Sequence, residues 1–134
     1  MENNTNEKKK ILLVDDNEVH LITAELFLKD DYEIYKTKSG EEALQCLAYK
    51  KFIPDLIMLD IIMPDMDGWE VFNNIRALAP YKTVPIIFLT AVIEKEEEKR
   101  AYDMGAVDYI KKPYNMIYLQ KRVKELFENN KSVK

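Results

Sequence analysis

Two short apolar runs end in carboxylates. Residues 56–59 (LIML) lead into Asp60, and residues 11–14 (ILLV) lead into the adjacent pair Asp15–Asp16. Unbroken runs of this length read as strands covered on both faces, so three acidic groups are expected together at one edge of a sheet. Carboxylates a few ångströms apart repel by roughly 1–4 kcal/mol per pair at water-like to surface-like dielectric. Such a cluster needs a cation, and a site built from oxygen ligands, with water and a phosphate in the remaining positions, suits Mg²⁺. Thr90 ends a third apolar run, and Lys112 stands immediately before Pro113.

Five apolar segments alternate with five helical patterns and supply the scaffold for these groups. Strands are expected at 11–14, 32–35, 55–59, 85–89 and 107–110. Ser39 caps a helix at 41–50, and Glu42 completes a capping box. Asp67 and Gly68 precede a helix at 69–78 that ends before Pro80. A last helix at 115–128 places Leu119, Val123, Leu126 and Phe127 on one face. This alternation predicts an α/β fold, a doubly wound parallel sheet with right-handed crossovers. Ligands of such sheets bind beyond the carboxyl ends of the strands, where Asp15, Asp16, Asp60 and Thr90 all fall.

The helix expected at 94–100 is almost entirely charged, with Ile93, Ala101 and Met104 the few apolar residues available to dock it. It reads as a solvated face strengthened by Glu96–Arg100 at i,i+4. A weakly docked helix is also one that shifts at small cost, as a switch requires.

The 134 residues form one domain, 47% hydrophobic and 33% charged, with a net charge of −4. That balance is globular, and the sign argues against nucleic acid as a direct partner of this segment. Cys46, the single cysteine, excludes an internal disulfide framework and reads as a packing residue. Residues 1–9 read as a polar tail, 10–128 as the folded domain, and 129–134 as a frayed end or the start of a linker. No signal peptide or membrane span is visible, so a cytoplasmic location is expected. His20, one turn after Asp16, falls on an amphipathic pattern with Leu21, Ala24 and Leu28 and has no evident partner. Trp69 reads as a packing residue and an optical reporter.

The motifs LVDDN (13–17), DIIMPDMDG (60–68), LTA (89–91) and KP (112–113) occur in an order and at intervals that point to a family. From about Lys10 to Glu128 the chain resembles the receiver domains of two-component response regulators. The resemblance implies a flavodoxin-like sheet, strand order 2-1-3-4-5, with five helices on two faces. It implies that Asp60 accepts a phosphoryl group from a phosphohistidine on a sensor histidine kinase or phosphotransfer protein. By the same matching, Asp16, Asp60 and the backbone carbonyl of Ile62 bind Mg²⁺ directly, and Asp15 binds through a metal-bound water. Transfer needs charge neutralisation on the phosphoryl oxygens, which Mg²⁺ and the Lys112 ammonium share. Thr90 donates its hydroxyl, and the small Ala91 leaves room above the acceptor. The family pattern selects Lys112 over Lys111 and implies a cis bond before Pro113 that turns the ammonium inward. Tyr109 would rotate inward with Thr90, linking the site to the surface of helix 4, strand 5 and helix 5, through which a homodimer or a downstream partner would bind.

Bland readings stand beside these. Asp16 or Asp60 alone would serve as a helix cap, Thr90 as an ordinary β-branched strand end, and Tyr109 as edge packing. A haloacid dehalogenase-type phosphatase also uses a nucleophilic Asp, but needs a second Asp two residues on, where this chain has Ile62. A degenerate receiver working without phosphate is a further alternative. Ile62 and Val92 occupy positions that flank the path of attacking water and are often polar in the family. Both are apolar here, which implies slow hydrolysis of the phosphorylated form. No output domain lies within these residues, so the target is a separate protein or a domain further along a longer chain.

Overall fold

Strands β1 (Lys9–Val14), β2 (Tyr32–Thr37), β3 (Leu56–Leu59), β4 (Ile86–Thr90) and β5 (Asp108–Lys111) pair in parallel in the order β2-β1-β3-β4-β5. This is the flavodoxin-like order expected. A computed structural model describes residues 7–50, 52–91, 94–113 and 115–132. Helices α1 (Glu18–Leu28), α2 (Gly40–Lys50), α3 (Gly68–Arg76), α4 (Lys95–Met104) and α5 (Met116–Ser132) fill the crossovers.

The sheet's alternation sorts the core into two layers. Leu12, Val14, Ile57, Leu59 and Phe88 pack toward α2, α3 and α4. Ile11, Leu13, Leu56, Met58, Ile87 and Leu89 pack toward α1 and α5. All four residues of β3 are buried, as a middle strand covered on both faces requires.

Several boundaries differ from the sequence reading for local reasons. Asp55 lies outside β3, and its carboxylate accepts from the Lys10 N–H at 2.7 Å. Asn115 is the residue before α5, its side chain accepting from the N–H of Ile117 at 2.7 Å and of Tyr118 at 3.2 Å. That helix continues to Ser132, past the 128 limit, because its last turn is polar and carries no apolar signal. β1 begins at Lys9, one residue before the expected domain start. Ser39 caps α2 through the Glu42 N–H at 3.0 Å, but the Glu42 carboxylate reaches the N–H of Lys38 rather than that of Ser39. Arg100 pairs with Glu97 at 3.6 Å, not with Glu96.

Helix α1 is apolar on both sides. Leu21, Ala24 and Leu28 are buried, while Val19, Ile22, Leu26 and Phe27 are exposed. Of the described residues in α4, Ala101 alone is buried, so the charged helix rests on a narrow footing.

Candidate functional site

The side chains in question sit where strands stop. Asp15 follows β1 and its N–H donates to the Thr37 carbonyl at 3.1 Å; Asp60 follows β3 and donates to the Val14 carbonyl at 3.0 Å. The parallel ladder thus runs one step past each strand and sets the two carboxylates on neighbouring lines. Asp15, Asp60 and Thr90 are buried, and Asp16 is exposed. One oxygen from each of Asp15, Asp16 and Asp60 lies within 4.8 Å of the others. Neither Asp16 nor Asp60 serves as the side-chain cap of the following helix: Asn17 caps α1 through the His20 N–H, and Asp67 caps α3 through the Glu70 N–H.

Lys112 joins this cluster from beyond β5. Its Nζ lies 2.6 Å from Asp15 Oδ2 and 3.5 Å from Asp60 Oδ2, with the side chain only 11% exposed. Its N–H donates to the Thr90 carbonyl at 2.8 Å, which ties the end of β4 to the lysine. The Lys112–Pro113 peptide is cis. Lys111 is exposed and reaches Glu98 on α4 at 3.6 Å. Of the two lysines, Lys112 faces the carboxylates.

Burial pushes the Asp60 carboxyl up to about 6. The Lys112 ammonium opposes that rise, Asp15 adds to it, and the N–H groups of Ile62 and Ile61 lower it again. Two buried carboxylates thus share the Lys112 ammonium while the exposed Asp16 stands beside them, which leaves net negative charge. An all-oxygen donor set carrying excess negative charge fits a hard divalent cation.

The loop after Asp60 turns back sharply. The Gly68 N–H donates to the Ile61 carbonyl at 2.7 Å. A Cβ at Gly68 would stand 2.3 Å from the Asp60 carbonyl oxygen and 2.6 Å from Ile61 Cα, so the close return is open only to glycine. Asp65 holds a φ of 70°, the left-handed region that Asp tolerates better than most residues. Ile62 sits on this loop with its side chain 60% exposed. Val92 lies outside the described residues.

Ala91 and Pro113 line an open cleft of about 460 Å³ together with His20, Thr23, Lys112 and Met116. Tyr109 is buried in β5, its ring centre 6.4 Å from that of Phe88. Burial pushes its phenol up to about 12, with Glu97, Glu98 and Glu94 adding to the effect. Trp69 is buried 5.0 Å from Phe88, and the Arg100 guanidinium lies over its ring at 4.1 Å. On the α4–β5–α5 face, Asp108 accepts from the Tyr102 hydroxyl at 3.3 Å and from Arg122 Nε at 2.8 Å.

His20 is the residue whose part the sequence hid. Its Nδ1 lies 3.0 Å from Lys112 Nζ. The available signal was its place on the first turn of α1, close behind the acidic pair, but nothing in the local pattern announces a contact with a residue so distant in the chain.

The response regulator receiver domain family matches residues 11–124. Over 122 residues the chain is 38% identical to a probable cyclic di-GMP phosphodiesterase of Vibrio cholerae serotype O1, covering 91% of this chain and 27% of that protein. It is 33% identical over 124 residues to the transcriptional regulatory protein CrdR of Helicobacter pylori, covering 92% of this chain and 57% of the relative. The chain therefore spans from about a quarter to rather more than half the length of these curated relatives. The solved structure of the Vibrio cholerae chemotaxis protein CheY4 superposes with a TM-score of 0.81 at 31% identity, covering 88% of this chain and 98% of that one. With the strand order, the clustered carboxylates and this match across most of its length, the chain belongs to the response regulator receiver domain family.

Proposed function

We propose that Asp60 is the phosphoryl acceptor of this receiver domain and that Asp15, Asp16, Asp60 and the Ile62 carbonyl hold Mg²⁺ beside it. The observation that carries this reading is the convergence on one sheet edge of three carboxylates and the Lys112 ammonium. When bound, Mg²⁺ supplies the positive charge that lets a carboxylate meet an anionic phosphoryl group. Asp60 presents its carboxylate oxygen for in-line attack; the new O–P bond forms as the bond from phosphorus to the donor imidazole nitrogen breaks. Lys112 takes a phosphoryl oxygen as a point charge. Thr90 offers its hydroxyl to another, and Ala91 leaves space for the group.

The donor is a sensor histidine kinase or a phosphotransfer protein, met in the cytoplasm. Tyr109, buried against Phe88, couples the site to the α4–β5–α5 face, where a downstream protein, an output domain or a second copy of the chain docks. The protein acts as a switch, its chemistry confined to its own Asp60. Among the described residues no helix is long and apolar enough to cross a membrane. Nothing favours the dehalogenase-type or phosphate-independent readings. Ile62 offers no proton donor two residues after Asp60, and Lys112 is turned toward the carboxylates.

Titration with Mg²⁺ and then beryllofluoride, following Trp69 fluorescence in wild type and Asp60→Asn, tests the proposal. Wild type is expected to respond to beryllofluoride only with Mg²⁺ present, and the variant not at all. A beryllofluoride response that survives the substitution removes Asp60 from its role.

A further inference from the structure

We infer that His20 is a positioning residue for Lys112, holding its ammonium at the edge of the acceptor site through imidazole Nδ1. The inference rests on the proposal that Lys112 meets the phosphoryl group, and it adds a residue that the acidic and phosphate-binding set does not contain.

A lysine ammonium has three N–H bonds to place and accepts none. Around Lys112 Nζ stand Asp15 Oδ2 at 2.6 Å, His20 Nδ1 at 3.0 Å and Asp60 Oδ2 at 3.5 Å. Because the ammonium can only donate, Nδ1 must present its lone pair, and the ring proton resides on Nε2. The Asp15 oxygen lies 3.6 Å from the same Nδ1, beyond a hydrogen bond, so Lys112 is the closer partner of that nitrogen. The backbone beneath the ring is fixed as well. The His20 N–H donates to Asn17 Oδ1 at 3.1 Å, and the Asn17 N–H donates to Asp15 Oδ1 at 2.9 Å.

A neutral acceptor does here what a carboxylate does not. Charge attraction alone draws the ammonium onto Asp15 and resists its departure when a phosphoryl oxygen arrives. The imidazole holds one N–H by direction with little Coulombic pull. Lys112 can then exchange Asp15 for the phosphoryl oxygen while keeping its place on the rim. The cleft lined by His20, Lys112, Ala91 and Pro113 leaves the approach open.

The test compares the full chain with His20→Ala, His20→Asn and His20→Gln, using Mg²⁺ and a small acyl phosphate as donor. Asparagine places its oxygen near the position of Nδ1, whereas glutamine places its own nearer Nε2. Loss of one charged hydrogen bond predicts about tenfold slower phosphorylation in the Ala and Gln variants, with the Asn variant within about twofold of wild type. In ¹⁵N NMR, the Lys112 ammonium is expected to give a signal protected from solvent exchange in wild type and His20→Asn, and to lose it in His20→Ala. Wild-type rates in His20→Ala, or an Asn variant as slow as the Ala variant, overturn the inference. A wild-type protein that takes up no phosphoryl group defeats the Asp60 proposal, and the ammonium signal then decides the role of His20.

Discussion

The Arg100 guanidinium lies 4.1 Å from the centre of the Trp69 ring, joining α4 to α3. Behind Trp69 stands Phe88, and behind Phe88 stands Tyr109. This stacking adds to the footing that buried Ala101 and half-buried Met104 give an otherwise charged helix. Arg100→Ala is expected to lower the unfolding free energy by about 0.5–1 kcal/mol and to alter Trp69 emission. Arg100→Lys keeps the charge without the planar stack and should recover only part of the loss. Urea unfolding followed by fluorescence measures both, and an unchanged midpoint and spectrum in Arg100→Ala would show that α4 is seated by other contacts.

Asp60 makes stability depend on pH in a defined sense. Its carboxyl is raised from 3.8 to about 6 in the folded state. A raised carboxyl favours folding while protonated, so the benefit is complete below about pH 4 and is lost as pH rises through about 6. At about 1.4 kcal/mol per tenfold change in proton affinity, the ionised side chain costs on the order of 3 kcal/mol at neutral pH. Asp60→Asn should therefore be more stable than wild type at pH 7.5, with the gap closing toward pH 4. Thermal melts across that range without metal check this; a gap of equal size at both ends contradicts it.

Gly68 has no room for a side chain. With a Cβ 2.3 Å from the Asp60 carbonyl oxygen, Gly68→Ala forces the backbone of the acceptor loop aside. Overpacking of this kind costs about 1–3 kcal/mol, occasionally more. The obstacle is main chain, so the loss should appear in denaturant unfolding and also as slower phosphorylation from a small donor. Phosphorylation at the wild-type rate would mean that the loop yields without moving Asp60.

Ile62 is expected to prolong the life of the phosphoryl group proposed for Asp60. Its exposed aliphatic side chain, two residues past Asp60, has no hydrogen bond to give to an attacking water. Ile62→Asn is expected to shorten the life of phosphorylated Asp60, measured as the decay of the phosphoprotein after donor removal. Identical decay in the two proteins would take Ile62 out of the hydrolytic path.

The fold and most of the site were legible because their signals are local or ordered along the chain. Unbroken runs such as residues 56–59 mark buried strands, and the carboxylates that close them fall by topology at one edge. Lys112 was separable from Lys111 by its neighbour Pro113, and the structure turns Lys112 inward and pairs Lys111 with Glu98. What stayed hidden depends on side-chain reach between distant segments. The imidazole of His20 meets Lys112 across the gap between α1 and the end of β5, and Arg100 stacks on Trp69 instead of pairing with Glu96. Element ends slipped where a polar residue had two uses, as with Asp55 bonding back to Lys10 and Asn115 closing the start of α5.

β3 runs in the middle of the sheet, with β1 bonded along one side and β4 along the other. The backbone that carries Asp60 is thus clamped, and an anion added there finds an anvil instead of a spring. Thr90 ends β4 and Lys112 follows β5, the two strands on one side of the sheet, and the sparsely anchored α4 lies against β5. If Asp60 takes up a phosphoryl group as proposed, recoil is expected on that flank, with the opposite half as the stationary reference against which the displacement is read.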